Sequence, residues 1–225
     1  METKEIRSLF EDAEVRTVGN SRIVEGYGIV FNKPSRLIEN RFYEIIKPEA
    51  VEGILENSDV LALLNHDITR GVLARSTNGQ GSLKLTVDNK GVKYSFVAPN
   101  FSLGDELVEG IRRGDIKGSS FSFKIDRGGD SFERRSDGSY LRTITKFATI
   151  LDMSPCYREA YEDTTVALRS LDEFETSNRS LIDDTKTDLG GEPTLDPIVG
   201  VQNRVINDNE LYLKRKHNYL KYNIK

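Results

Sequence analysis

The 225-residue sequence has one cysteine, Cys156, two histidines, His66 and His217, and no tryptophan. A single thiol excludes an internal disulfide framework and any cysteine-based zinc site, and it fits an intracellular protein. With one imidazole in the central sequence and the other near its polar end, a metal site built on neighbouring histidines has little material, so no metal and no cofactor is expected. If a histidine does acid-base chemistry in the folded part, it is His66. No apolar run approaches the roughly 18 to 20 residues of a membrane span, and Met1-Glu2-Thr3-Lys4-Glu5 lacks the apolar stretch of a signal peptide. No membrane association is expected. Clustered basic charge is also missing: the formal net charge is −4, which argues against a broad nucleic-acid surface.

Hydrophobic residues, 37% of the chain, suffice to bury the core of one domain with an extension. Residues 1–20 are charged, with a weak apolar signal at Ile6, Leu9 and Phe10, and read as an N-terminal arm. From Arg22 to Phe31 the residues alternate as in a strand, with Gly26 and Gly28 permitting a bend or a close approach. Arg41–Ile46 reads as a second strand, followed by a short helix opened by Pro48. Val60–Leu64 is an apolar run too short for a helix, hence a buried strand, and it delivers Asn65-His66-Asp67 at its end. Strands follow at Val72–Arg75, Leu83–Val87 and Val92–Val97, joined by turn-forming residues.

Ser102 is placed to cap a helix with Leu103, Leu107, Val108 and Ile111 on one face and Gly114 as its stop. Then comes Gly118-Ser119-Ser120-Phe121-Ser122-Phe123, a strand whose Ser120, Ser122 and Lys124 share one face while Phe121, Phe123 and Ile125 bury on the other. Arg127–Gly138 reads as a polar loop, Tyr140–Leu151 as a long strand ending at Asp152, and Val166–Leu168 as a closing strand. Many short strands and few helices predict a mainly β domain over residues 21–170, an antiparallel barrel or sandwich. From 171 to 225 the composition becomes that of a flexible tail. Between Asp172 and Arg204 it carries eight acidic and three basic residues, and a basic stretch around Lys214-Arg215-Lys216 follows.

A serine becomes a nucleophile when an imidazole takes its proton and a third group fixes the imidazole. His66, Ser120 and Asp152 each stand at the end of a predicted strand, where side chains distant in sequence can meet. Asp67 is a rival to Asp152 as the third group. A Ser-Lys dyad using Lys117 or Lys124 would need a lysine with a lowered pKa in a buried setting, whereas both have polar neighbours. Cys156 has no histidine partner nearby and reads as a small buried hydrophobe.

Four segments resemble the caudoviral prohead proteases, the capsid-maturation serine proteases typified by the enzyme of phage HK97. They are Phe42–Ala50, Leu63–Asp67, Ile111–Phe123, and Leu151–Pro155 running on to Tyr161, and together they cover roughly residues 22–170. The resemblance implies a compact antiparallel β-barrel similar to herpesvirus assemblin, with peripheral helices. It also implies endopeptidase action on the phage major capsid protein and scaffold inside the assembling prohead, in the host cytoplasm, with self-cleavage. In the motifs, His66 corresponds to the general base and Ser120, not Ser119, to the nucleophile. The acidic member before Ser154 is usually glutamate; here it is Asp152, one methylene shorter and with correspondingly less reach toward the imidazole. Ser122 stands where the family often has glycine, and Glu159 where it often has proline. Arg158, shortly after the Asp152 segment, reads as a surface charge ahead of a helper of the oxyanion. A homo-oligomer is compatible with all of this. The rival reading is a non-catalytic β module that binds scaffold or capsid subunits, with the tail as its docking element.

Overall fold

The computed structural model describes residues 4–9, 13–157 and 167–177; the expected tail beyond 177 and the candidate Arg158 lie outside these. Thirteen strands run in the order β1 (Glu5–Leu9), β2 (Arg16–Thr17), β3 (Ile23–Val30), β4 (Phe42–Ile46), β5 (Asp59–Ala62), β6 (Ala74–Thr77), β7 (Gln80–Gly81), β8 (Lys84–Val87), β9 (Gly91–Val97), β10 (Gly118–Ile125), β11 (Asp130–Arg134), β12 (Tyr140–Ile144) and β13 (Phe147–Cys156). One helix, α1 (Ser102–Arg113), precedes β10, and residues 167–177 form a second, α2. No helix among the described residues is long and apolar enough to cross a membrane.

The strands make three sheets: β1, β10, β13, β5, β6, β7 in that order; β2, β3, β9, β8; and β11, β12, β4. They close no barrel among the described residues, which corrects the expected all-antiparallel barrel. Two junctions run parallel, β13 with β5 and β12 with β4, so β4 is drawn into a small sheet with the β11–β12 hairpin. The hairpin's first strand occupies the segment read as a polar loop, while β12 and β13 divide the long strand expected at Tyr140–Leu151 and carry it past Asp152 to Cys156. β11 has only intermediate and exposed residues, so it lacks the buried alternation by which a strand announces itself. The strand expected around Leu168 is α2 instead. Its Ala167 and Leu171 are buried against Ile38 and Phe42, and Arg41 pairs with its Asp172 and Glu175.

The core forms where the sequence alternation points. Phe121 and Phe123 of β10 stack at 5.0 Å between centroids, and Phe147 meets Phe123 edge-on at 4.9 Å. Gly28 in β3 is a site of close approach, since a Cβ there would lie 2.6 Å from the Met153 sulfur. β3 also changes register between Tyr27 and Ile29, the bend that its glycines permit. Helix α1 ends at Gly114 with φ of 78°, a left-handed stop. Its cap position is Phe101 rather than Ser102, with Arg22 bonding Asp105 of the first turn at 2.8 Å.

The N-terminal segment is no loose arm. β1 pairs antiparallel with β10, Glu5 opposite Phe123 through Leu9 opposite Ser119. Its Glu5 and Arg7 are buried together with Glu44 of β4 and Arg142 of β12. Arg7 Nε donates to Glu44 Oε1 at 2.8 Å and Arg7 Nη2 to Glu44 Oε2 at 2.9 Å. Arg142 Nη1 and Nη2 donate to the two Glu5 oxygens at 2.7 and 2.9 Å, and Nη1 also reaches Glu44 at 2.9 Å. Asp130 accepts from Arg142 Nε at 2.7 Å. Charges leave water at a cost of several kcal/mol each, on the order of magnitude usual for such groups, unless partners satisfy them. Here each finds opposite charge on another strand, so the cluster joins the largest sheet to the smallest.

Burial alone would push the Glu44 carboxyl up, but the charges of Arg7 and Arg142 and their hydrogen bonds outweigh it and hold it below the ordinary range. A carboxyl depressed on folding adds stability that is fully present above its unfolded value, near ~4.3, and that disappears as pH falls through the folded value. Arg142→Met removes the central cation and should cost about 3–5 kcal/mol by urea denaturation at pH 7. The gap to the wild type should narrow as the pH is lowered through the acidic range; a gap that is independent of pH would contradict the role given to the carboxylates.

Candidate active site

His66 is brought into place by the turn after β5. The backbone is left-handed at Asn65 (φ 55°) and His66 (φ 61°), two residue types that tolerate this region better than most, and the Asp67 amide closes the turn on the Leu64 carbonyl at 3.2 Å. Asn65 fastens the turn to the end of β13: its amide bonds the Pro155 carbonyl at 3.1 Å, and its side-chain oxygen accepts from the Tyr157 amide at 3.1 Å. The imidazole therefore lies over β13, where Asp152 waits.

His66 Nδ1 hydrogen-bonds Asp152 Oδ1. The same carboxylate accepts from the Ser154 hydroxyl at Oδ1, 2.7 Å away, and from the Ser122 hydroxyl at Oδ2, while Lys4 Nζ lies 3.5 Å from Oδ2. Asp152 is only 2% exposed. Burial would push its carboxyl up, but the hydrogen bond and charge of His66, with the two serine hydroxyls, prevail and hold it below the ordinary range. It is thus an anion at neutral pH, fit to hold an imidazole with its proton on Nδ1 and to balance an imidazolium. The shorter side chain reaches because the β5–β13 junction brings the turn close, with Leu61 opposite Asp152. Asp67, the rival, is engaged elsewhere: it accepts from the amide of Thr69 at 3.0 Å and from its hydroxyl at 2.5 Å, capping a single helical turn.

Ser120 sits on the same face of the sheet, one strand over. The β10–β13 register sets Ser120 opposite Ser154 and Ser122 opposite Asp152, so the four side chains form a two-by-two patch on one face of the sheet, with Asp152 holding the imidazole. The Ser120 hydroxyl is fully buried and donates to the Arg7 carbonyl of β1 at 2.8 Å, accepting from Ser8 Oγ at 3.1 Å. It does not bond His66: Nε2 is buried with no hydrogen-bond partner among the described residues. Of the three candidates, then, His66 and Asp152 touch, and Ser120 is turned toward β1.

Ser119 faces the other way, into the core, where its hydroxyl and the Tyr94 hydroxyl lie 2.7 Å apart. Burial pushes the Tyr94 phenol up, so this is a neutral, inert pair. Lys117 is exposed and Cys156 buried. Sequence reasoning did not find Ser122 and Ser154 as partners of Asp152, nor β1 as the neighbour of Ser120. The available signal was the serine at 122 in place of a common glycine; its meaning required the strand register.

The chain matches the family described as caudovirus prohead serine protease over residues 11–178. No curated protein matches it at a significant level. Among solved structures it is similar to the bacteriophage T4 capsid assembly protease, with 13% identity and a TM-score of 0.42 over 69% of this chain and 98% of that one. The family match takes in His66, Ser120 and Asp152 and covers well over half of the sequence: the chain belongs to the caudovirus prohead serine protease family.

Proposed function

We propose that this chain is a serine endopeptidase that cleaves phage capsid and scaffold polypeptides inside the assembling prohead, with Ser120 as nucleophile, His66 as general base and Asp152 as the group that orients the base. The observation that carries the reading is the imidazole held at Nδ1 by the buried Asp152 carboxylate, with Nε2 lacking a hydrogen-bond partner among the described residues and Asp152 on the strand next to the one that bears Ser120. A buried ring nitrogen without a partner is uncommon in a purely structural histidine.

In this reading Nε2 takes the Ser120 proton as Oγ adds to the scissile carbonyl. The imidazolium then returns that proton to the leaving amine, and an acyl-enzyme remains. Water, deprotonated by the same nitrogen, attacks the ester carbonyl, and the imidazolium returns that proton to Ser120 Oγ as the second product leaves as an acid. Asp152 keeps the ring in the tautomer that leaves Nε2 basic and stabilises the imidazolium, while Ser122 and Ser154 hold the carboxylate. The tail beyond α2 would serve as a tether to scaffold, raising the local concentration of substrate, and would itself be exposed to self-cleavage.

One observation favours the rival, a non-catalytic assembly module: the Ser120 hydroxyl is hydrogen-bonded to Arg7 and not to His66. Coexpression with the capsid protein separates the two. Ser120→Ala and His66→Ala should each abolish cleavage of the capsid protein, whereas Ser119→Ala should cleave normally and lose about 1 kcal/mol of stability with its hydrogen bond. Unchanged processing in Ser120→Ala, followed by mass spectrometry, would sink the catalytic assignment. Asp152→Asn, which disturbs the tautomer but not the nucleophile, should lower the rate by up to ~10⁴-fold in single-turnover cleavage; a change under about threefold would remove Asp152 from the role.

A further inference from the structure

β1 is the outermost strand of the largest sheet and lies directly against the strand that carries Ser120. Each of its faces meets something chemical. Toward the candidate site, the Arg7 carbonyl accepts a hydrogen bond from the Ser120 hydroxyl and Ser8 Oγ donates to Ser120 Oγ, while Lys4 approaches the Asp152 carboxylate. Toward the other face, Glu5 meets Arg142 and Arg7 meets Glu44. The Arg7 guanidinium also lies 5.6 Å from the centre of the Phe123 ring.

A protease that reads an extended polypeptide commonly does so by adding it as a strand to a sheet edge, with backbone pairing for affinity and alternate side chains for selection. If β1 departed, the vacated edge of β10 would offer such pairing beside Ser120. The departing pair, one carboxylate and one guanidinium, carries no net charge. Glu44, Arg142 and Asp130 would then stay behind, bonded to one another through Arg142, as a two-signed socket for an acidic and a basic side chain two positions apart.

We propose that the β10 edge is the strand-accepting edge of the active site and that residues 4–9 are its resident occupant. They seat a backbone carbonyl on Ser120 and use the Glu44–Arg142 cluster as the selecting socket. This rests on Ser120 being the nucleophile. While β1 is seated, the hydroxyl donates to Arg7 and not to His66, so the chain is latent. Displacement of β1 by an extended segment with a carboxylate and a guanidinium at alternate positions frees the hydroxyl and fills the site in one event.

The test uses the full chain and a fluorophosphonate, with labelling at Ser120 followed by peptide mass spectrometry. Leu9→Cys with Ser119→Cys places thiols at directly opposed positions of β1 and β10, on the face of β10 opposite the Ser120 side chain. The oxidised, pinned chain should label at least tenfold more slowly than the same chain after reduction. Equal rates in the two forms would overturn the occupant role while leaving Ser120 as nucleophile intact. In a second arm, Glu5→Arg with Arg7→Glu sets like charges against Arg142 and Glu44 and should label at least tenfold faster than wild type. If that variant folds with a native circular dichroism spectrum and labels no faster, the cluster does not select the strand; if it fails to fold, the pinned chain decides. Absence of Ser120 labelling in every form, reduced chain included, would remove the nucleophile and this inference with it.

Discussion

The ladder between β10 and β13 is the constraint on which the site depends. Antiparallel pairing puts directly opposed side chains on one face at close spacing, and the register observed here sets Ser122 against Asp152 and Ser120 against Ser154. A slip of one residue would turn Ser120 and Ser122 into the core and Ser119, Phe121 and Phe123 out of it. The stacked phenylalanines therefore fix the chemistry indirectly. By anchoring one face of β10 they determine which of two adjacent serines meets the carboxylate side of the sheet and which is consigned to Tyr94.

Much of this was legible in the sequence because it is written in apolar alternation. The buried run at Val60–Leu64, the alternation around Ser120 and the glycine stop of α1 all express burial patterns that neighbouring residues announce. The placement of His66 just after a strand came from the same source, whereas Asp152, expected at a strand end, lies in the middle of β13; the contact of the two makes good the missing methylene of an aspartate where glutamate is usual. What stayed hidden is polar. β1 buries Glu5 and Arg7, and no local pattern marks a charged residue as buried when its partners lie 37 and 137 positions away. For the same reason β11 passed as a loop and α2 as the start of a tail, since its docking depends on Ile38, Phe42 and Arg41 from far upstream. The barrel failed as an expectation because closure depends on which edges pair, a global property that strand-by-strand reading does not reach.

The two halves of the site have different physical characters. Around Asp152 every interaction is saturated: both oxygens are engaged, burial is nearly complete, and the charge is held by an imidazole and two hydroxyls. Around Ser120 the bonds are made with a strand at the sheet margin. Edge strands are the parts of a sheet that exchange partners most readily, whereas a carboxylate enclosed by three donors is costly to disturb. In the function proposed above, that contrast leaves the orienting carboxylate fixed while the serine side is the part able to exchange its neighbour.

The paired left-handed residues Asn65 and His66 carry one more consequence. The imidazole is fixed at two points, at its Cα by a turn stapled to Pro155 and Tyr157 and at Nδ1 by Asp152. With both ends of the side chain determined, Nε2 has a single address in the molecule. In the proposed mechanism the imidazole is therefore the fixed reference, and any rearrangement that brings a hydroxyl to Nε2 belongs to the serine strand and its neighbour.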